Sequence, residues 1–329
     1  MSTITMDLTV QRKLIEMLRI IQENQTPVGA RLIAYRMNER GYDIGERAVR
    51  YHLSVLDAQG LTKRLGYNGR VITERGKDEL HDALVGDRVG FIISRIEKLM
   101  CNTTFDPGTK KGTVIINMSI IDKNDLGRTM RILKHVIRNG YSFSPYIKLI
   151  EEGTVTSGIE VPEGKTGIAT VCSTTIDGIL LKNGIPVSPK YGGTLKVENK
   201  KPVCFEDVIV YSGTTIDPMR VFMSKKMTRV LDTVNTGSGR LLANLREVPG
   251  SAISEAKEIL GYAVKARIGG IAGIGEPGKP VLNSAVDTGK AGIVIYAGTN
   301  IIAAVSEMGI KVTTYPISTT IDFEDLKKL

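Results

Sequence analysis

The chain has 329 residues, 42% apolar and 24% charged, with a net charge of +9 at pH 7. That balance excludes a disordered or fibrous protein and predicts two or three globular domains, each with its own core. Three widely spaced cysteines (Cys101, Cys172, Cys204) and three distant histidines (His52, His81, His135) exclude a disulfide framework and a zinc knuckle. Met1 to Asp7 lacks the basic flank and apolar core of a signal peptide. The best apolar run, Gly292 to Val305, is too short and polar for a bilayer. The expected compartment is the cytoplasm, with no membrane partner.

In chain order, Val10, Leu14, Leu18 and Ile21 recur at helical spacing behind Thr9, an N-cap candidate. Thr26-Pro27 breaks the chain, and Leu32 to Met37 forms a short second helix that Gly41 stops. After a tight turn, Glu46 to Gln59 predicts a third helix with Val49, Leu53 and Leu56 on one face and Arg47, Arg50, Tyr51 and Ser54 on another. Gly60 caps it. Leu61 to Leu65 and Arg70 to Thr73 then read as two strands around Gly66-Tyr-Asn-Gly69, followed by a helix from Glu74 to Leu84. Three helices and a hairpin in that order are the arrangement of a winged helix-turn-helix. The third helix is sized for the major groove of double-stranded DNA, where Arg47 and Arg50 reach guanine edges or phosphates with Tyr51 and Ser54 beside them. Lys63, Arg64 and Arg70 on the wing would take phosphates. The same charges also suit a plain solvated face, and winged helices also bind RNA or proteins.

Asp87 to Met100 carries Val89, Ile92, Ile93, Ile96, Leu99 and Met100 at helical spacing. Asn102 to Gly112, with Pro107, Gly108 and Lys110-Lys111, reads as a linker. Residues 1–85 are therefore expected to be the DNA-binding domain, 86–112 a linker helix and linker, and 113–329 an effector-binding and dimerisation domain.

Beyond Gly112, predicted strands at Thr113 to Ile121, Ile168 to Cys172, Val208 to Tyr211, Ala291 to Tyr296 and Lys311 to Tyr315 alternate with helices at Leu126 to Asn139, Pro218 to Val234 and Ser251 to Leu260. The fold class is α/β. Thr-Thr-Ile-Asp occurs at Thr174, Thr214 and Thr319. Lys165 to Ile176 with Asn183-Gly-Ile-Pro-Val aligns without a gap on Lys290 to Ile301 with Met308-Gly-Ile-Lys-Val. Each copy reads as strand, turn, helix, glycine stop and strand, which predicts an internal duplication whose halves pack face to face.

A strand ending in Cys172-Ser-Thr-Thr or Ala297-Gly-Thr-Asn and opening into a helix gathers hydroxyls and free N–H groups where an anion is stabilised. Cys172, Thr174 and Thr175 are the effector-binding candidates, with Arg240 and Arg267, both near glycines, as a carboxylate clamp. Plain N-caps account for the threonines as well. Gly269 to Gly275 matches neither dinucleotide nor phosphate loops. No nucleophile elbow, HExxH or paired histidines occur, so the sequence favours binding over catalysis, with no catalytic residue, metal or cofactor. The competing readings are an enzyme acting on a small organic acid through Asp177, Asp217 and Asp322, and an RNA-binding protein.

A short winged helix followed by Gly167-Ile-Ala-Thr-Val-Cys-Ser-Thr-Thr-Ile-Asp-Gly178, Tyr191-Gly-Gly193 and Ala266-Arg-Ile-Gly-Gly270 resembles the NrpR family of archaeal nitrogen-regulation repressors, over nearly the whole chain. The resemblance implies a homodimer that represses nitrogen-assimilation genes at palindromic operators and is released by 2-oxoglutarate. A single ligand domain resembles the split form, in which a second protein of the family shares the task.

Overall fold

A computed structural model describes residues 8–24, 26–80 and 91–329. The chain divides into two compact units, Met1–Arg88 and Val89–Leu329. Among the described residues no helix is long and apolar enough to cross a membrane.

The first unit is a winged helix. Helices α1 (Leu8–Glu23), α2 (Ala30–Glu39) and α3 (Glu46–Ala58) are followed by strands β1 (Thr62–Arg64) and β2 (Arg70–Ile72). A further helix (α4) covers residues 74–80, and the expected continuation to Leu84 lies outside the described residues. Thr9 falls inside α1 rather than ahead of it. The apolar stripes meet as expected: Leu14, Leu18 and Ile21 of α1, Ile33 and Met37 of α2, and Val49, Leu53 and Leu56 of α3 form one core, closed by Leu61 and Leu80. This burial, not capping, holds the short helices, since Gly29 and Gly45 at the starts of α2 and α3 offer no side-chain cap.

The wing pairs Thr62 with Ile72 and Arg64 with Arg70, and a backbone bridge between Val28 and Arg70 adds a third segment. That bridge requires Gly69, whose φ is +114° and where a Cβ would lie 2.5 Å from the Val28 carbonyl carbon and oxygen. Gly69→Ala is expected to destabilise the winged helix by more than about 1 kcal/mol. Its thermal midpoint would show this, and an unchanged midpoint would contradict the tight approach.

The second unit opens with α5 (Phe91–Cys101). Sequence spacing suggests a linker helix here, but Ile92, Ile96, Leu99 and Met100 are buried against Ile115, Cys172, Tyr211 and Ile317, so α5 is an integral wall of this unit. The expected loose segment after it is also fixed: Phe105 is fully buried, and Asp106 bridges to Lys111 across a turn.

Strand β3 (Thr113–Asp122) then leads through a short 3-10 turn into α6 (Leu126–Arg138), β4 (Tyr146–Ile150), the small hairpin β5 (Val155–Thr156) and β6 (Ile159–Glu160), β7 (Lys165–Val171), α7 (Thr175–Lys182) and β8 (Ser188–Glu198). After β9 (Lys201–Val210), α8 (Pro218–Ser224) and α9 (Val230–Thr236), the pattern repeats. It runs through β10 (Gly239–Pro249), a 3-10 turn, α10 (Ile253–Lys265), β11 (Ile271–Ile274), β12 (Lys290–Tyr296), α11 (Asn300–Glu307) and β13 (Thr313–Asp322), with β14 (Lys327–Lys328) last. The segment 218–234, expected as one helix, is broken at Lys226, which takes a left-handed φ of 54° while Met227 N–H closes the first helix on Phe222.

Two antiparallel sheets result, in the orders β13-β3-β7-β4-β14 and β11-β12-β10-β8-β9. The duplication is real, but the halves do not pack as separate bodies: each exchanges its last strand. β8, at the end of the first half, pairs with β10 of the second, and β13, at the end of the second, pairs with β3 of the first. The helices follow the same rule, α6 packing on α11 and α10 on α7. Each of the two cores takes strand residues from both sheets and thus draws on both halves.

Candidate functional site

Two surfaces carry the chemistry, one in each unit. On α3 the buried Val49, Leu53 and Leu56 turn Arg47, Arg50, Tyr51 and Ser54 outward, and all four are exposed. Arg50 lies along the helix in an ion pair with Glu46 at 2.5 Å, an exposed i,i+4 contact that a phosphate or guanine can replace at little cost. Ser54 Oγ donates to the Tyr51 carbonyl. Lys63 and Arg64 are exposed on β1. Arg70 does not join them: its guanidinium is largely buried and Nε donates to Asp57 at 2.8 Å, which braces the wing against the end of α3. Sequence reasoning also missed Tyr67, fully exposed at the tip of the wing. Its signal was an aromatic side chain in a glycine-flanked turn.

In the second unit the turns after β7 and β12 meet. Gly298 approaches so closely that a Cβ there would stand 2.0 Å from the Val171 carbonyl oxygen. The backbone N–H of Cys172 donates to Ile115 and that of Ala297 to Leu242, at equivalent places in the two halves. One residue type repeats the symmetry: Asn117 and Asn244 stand two positions on, and both line the small cavity between the turns together with Cys172, Ser173, Thr174, Tyr211, Asp217 and Thr299.

Thr175 is not in that lining; its hydroxyl accepts from Ile115 N–H and pins the turn to β3, as Asn300 pins the other turn to Leu242. The expected clamp is also absent. Arg240 pairs with Glu206 at 2.5 Å at the start of β10, and Arg267 is an exposed left-handed residue beyond α10 (φ 63°). The arginine beneath the cavity is Arg246, 2% exposed, whose Nη1 donates to Asp177 Oδ1 at 2.6 Å and to the Ser173 carbonyl at 3.1 Å. It breaks the symmetry, since it tethers only the first turn. Two more arginines, Arg95 of α5 and Arg220 of α8, line an adjoining recess of about 170 Å³ that shares Asp217, Pro316 and Ile317 with the cavity.

The polar groups inside are incompletely satisfied. Ser173 Oγ donates to Asn244 Oδ1, and Asn244 Nδ2 donates to Tyr211 Oη, both at 2.7 Å. Asp217 Oδ1 accepts from Met219 N–H as the N-cap of α8, but Asp217 Oδ2 and Thr299 Oγ1 in the lining, and Arg246 Nε beneath it, are buried without a partner. Each such orphan costs about 1–3 kcal/mol, so a polar guest that reached them would be favoured. Burial raises the Cys172 thiol to about 11, which keeps it protonated and unreactive.

Burial also raises the Asp217 carboxyl to about 6, against the pull of the Met219 and Arg220 backbone N–H groups and of the Arg95 and Arg220 charges. Its folded value thus lies above the ordinary 3.8, so its contribution to stability is present below about pH 4 and is lost as pH rises through about 6. Asp217→Asn, which keeps a cap, is therefore expected to raise the melting temperature at pH 8 and not at pH 4, by about 2–4 °C for each kcal/mol relieved. A gain independent of pH would overturn this assignment.

Thr214-Thr-Ile-Asp217 is a loop ending at that cap, and Thr319 to Asp322 is strand rather than turn. Asp177 lies under the cavity in its ion pair, Asp217 lines it, and Asp322 is exposed at the end of β13, so the three aspartates do not form one acid–base centre. Among the described residues no group of three or more histidine, cysteine, aspartate or glutamate side chains is placed to hold a metal ion.

Comparison with known proteins agrees with the fold of each unit. Residues 89–328 match the model of NrpR regulatory domains NRD1 and 2, and residues 15–80 match the ribonuclease R winged-helix domain. The chain is 47% identical to the global nitrogen regulator NrpRI of Methanosarcina mazei, over 98% of this chain and 100% of that protein. It is 38% identical to the global nitrogen regulator NrpR of Methanocaldococcus jannaschii, over 97% of this chain but 55% of the longer relative. A crystal structure of a nitrogen repressor-like protein from Methanococcus jannaschii superposes with a TM-score of 0.61 at 30% identity, covering 72% of this chain and 97% of that one. A winged helix carrying an exposed basic helix face, joined to an internally duplicated α/β unit of this type along its whole length, places the chain in the NrpR family of nitrogen regulators.

Proposed function

We propose that the protein is a transcriptional repressor of nitrogen-assimilation genes that binds operator DNA through its winged helix and is released when 2-oxoglutarate occupies the second unit. The observation that carries this reading is the recess, where the guanidinium groups of Arg95 and Arg220 line one pocket and suit a small dicarboxylate. The inner cavity has room for about one water, whereas the recess accommodates a five-carbon acid. Arg95 and Arg220, with Thr174 and Thr299, replace Arg240 and Arg267 as the proposed effector contacts.

On the DNA side, Arg47, Arg50, Tyr51 and Ser54 enter the major groove, and Lys63 and Arg64 hold phosphates. One such helix spans a single half-site, so a homodimer reads a palindrome. Fluorescence anisotropy on a palindromic operator tests the reading: saturating 2-oxoglutarate is expected to weaken binding about 5- to 150-fold. Operator affinity that ignores millimolar 2-oxoglutarate would end it.

A further inference from the structure

Helix α5 is the first helix of the second unit and stands next in the chain after the winged helix. Its buried side packs on Cys172, Tyr211 and Ile317, three residues that also line the cavity. Its Arg95 is half-buried and borders the recess, and Nη2 donates to the Ser318 carbonyl at 3.0 Å. Among the described residues this is the one hydrogen bond found for a guanidinium that has five donors, and its charge acts on the Asp217 carboxyl across the recess.

The carbonyl belongs to an unusual stretch. Strand β13 loses register with β3 between Tyr315 and Thr319, and Ile317 inside this irregularity has φ +49°, a conformation that a β-branched side chain rarely adopts. Asn117 Oδ1 accepts from Ile317 N–H, and Ser318 Oγ donates to Tyr315 while accepting from Met118 N–H. A strained segment is thus held in place by polar contacts, between the cavity on one side and Arg95 on the other.

From this juxtaposition we infer that Arg95 is the contact by which α5 senses the ligand: a bound carboxylate draws its guanidinium away from the Ser318 carbonyl and removes that polar tie between α5 and β13, leaving the apolar packing on Ile317 to hold the helix. A carboxylate is the stronger partner, because both members of the new pair are charged and two parallel hydrogen bonds can form. Arg220, on α8, serves the same carboxylate without touching α5, so the two arginines divide affinity from transmission. This inference rests on the ligand reading proposed above.

The test uses the full chain, 2-oxoglutarate as the probe and operator DNA. Without ligand, Arg95→Gln is expected to mimic occupancy, its operator affinity falling about 5- to 150-fold to that of the ligand-saturated parent. Arg220→Gln should need at least about tenfold more 2-oxoglutarate for release. Hydrogen exchange of residues 91–101 in the unmodified protein gives a second readout that does not depend on a variant folding, and it should shift when 2-oxoglutarate is added. Parental operator affinity in ligand-free Arg95→Gln, or unchanged exchange in α5 at saturating ligand, would overturn the inference. A parent whose operator affinity does not respond to 2-oxoglutarate would instead overturn the ligand reading beneath it.

Discussion

Replacing both Arg47 and Arg50 with alanine is expected to lower operator affinity at least about 30-fold, since each specific contact of this type is worth about 1–3 kcal/mol. Both side chains are exposed on the outward face of α3, and neither contributes to the core beneath it. The loss should therefore come without a change in melting temperature or in 2-oxoglutarate binding. The two positions need not contribute equally. Arg50 must first leave Glu46, so its contact is partly offset, and Glu46→Gln alone should strengthen binding modestly. Lys63→Ala and Arg64→Ala would act differently, weakening binding to all sequences and flattening its salt dependence. Arg70→Ala would reduce stability instead, because its partner Asp57 lies on α3. Operator affinity within a few-fold of the parent in the double variant would remove α3 as the reading element.

Arg246→Ala is expected to cost the second unit about 3–5 kcal/mol, the usual penalty for leaving one member of a buried pair uncompensated. Asp177 and Arg246 are each 2% exposed, and burial raises the Asp177 carboxyl to about 6 even with the guanidinium beside it. Removing the arginine also frees the Ser173 carbonyl, which loosens the first turn of the cavity. Arg246→Met together with Asp177→Leu should recover much of the stability, because an apolar pair of similar volume needs no desolvation. Thermal melts of both single variants and the double variant form a cycle that isolates the pair. Single and double variants with equal losses would mean that the ion pair is not the source of the penalty.

The winged helix was legible in the sequence because its core comes from local stripes: the residues that face one another on α1 and α3 announce themselves at three- and four-residue spacing. The repeat was legible because β7 and β12 are buried in the same way and share Lys, Gly and Ile at equivalent places. What spacing does not encode is which sheet a strand joins. The exchange of β8 and β13 depends on pairing across the two halves, so the expectation of face-to-face packing missed it. The arginine clamp failed for a local reason. Glycines beside Arg240 and Arg267 suggested close approach to a ligand, but Gly237 and Gly270 are there to take left-handed turns (φ 81° and 78°). A better signal lay in β10, where Arg246 and Glu247 follow a run of mostly apolar residues; charges in a buried strand demand partners. Arg95 gave no such signal, because one arginine on an amphipathic helix reads as solvated.

The strand exchange also governs how the second unit can be made. Strand β3 is complete by residue 122, but its partner β13 begins at residue 313, with about two hundred residues of chain between hydrogen-bonded neighbours. During synthesis one edge of β3 remains open until nearly all of the unit has left the ribosome, and neither half can complete its sheet alone. Contacts of such long range form slowly, and an open edge of this kind invites pairing with other chains. The architecture that joins the two turns into one cavity therefore makes the unit fold late and as a whole, and leaves the nascent chain dependent on protection from its neighbours.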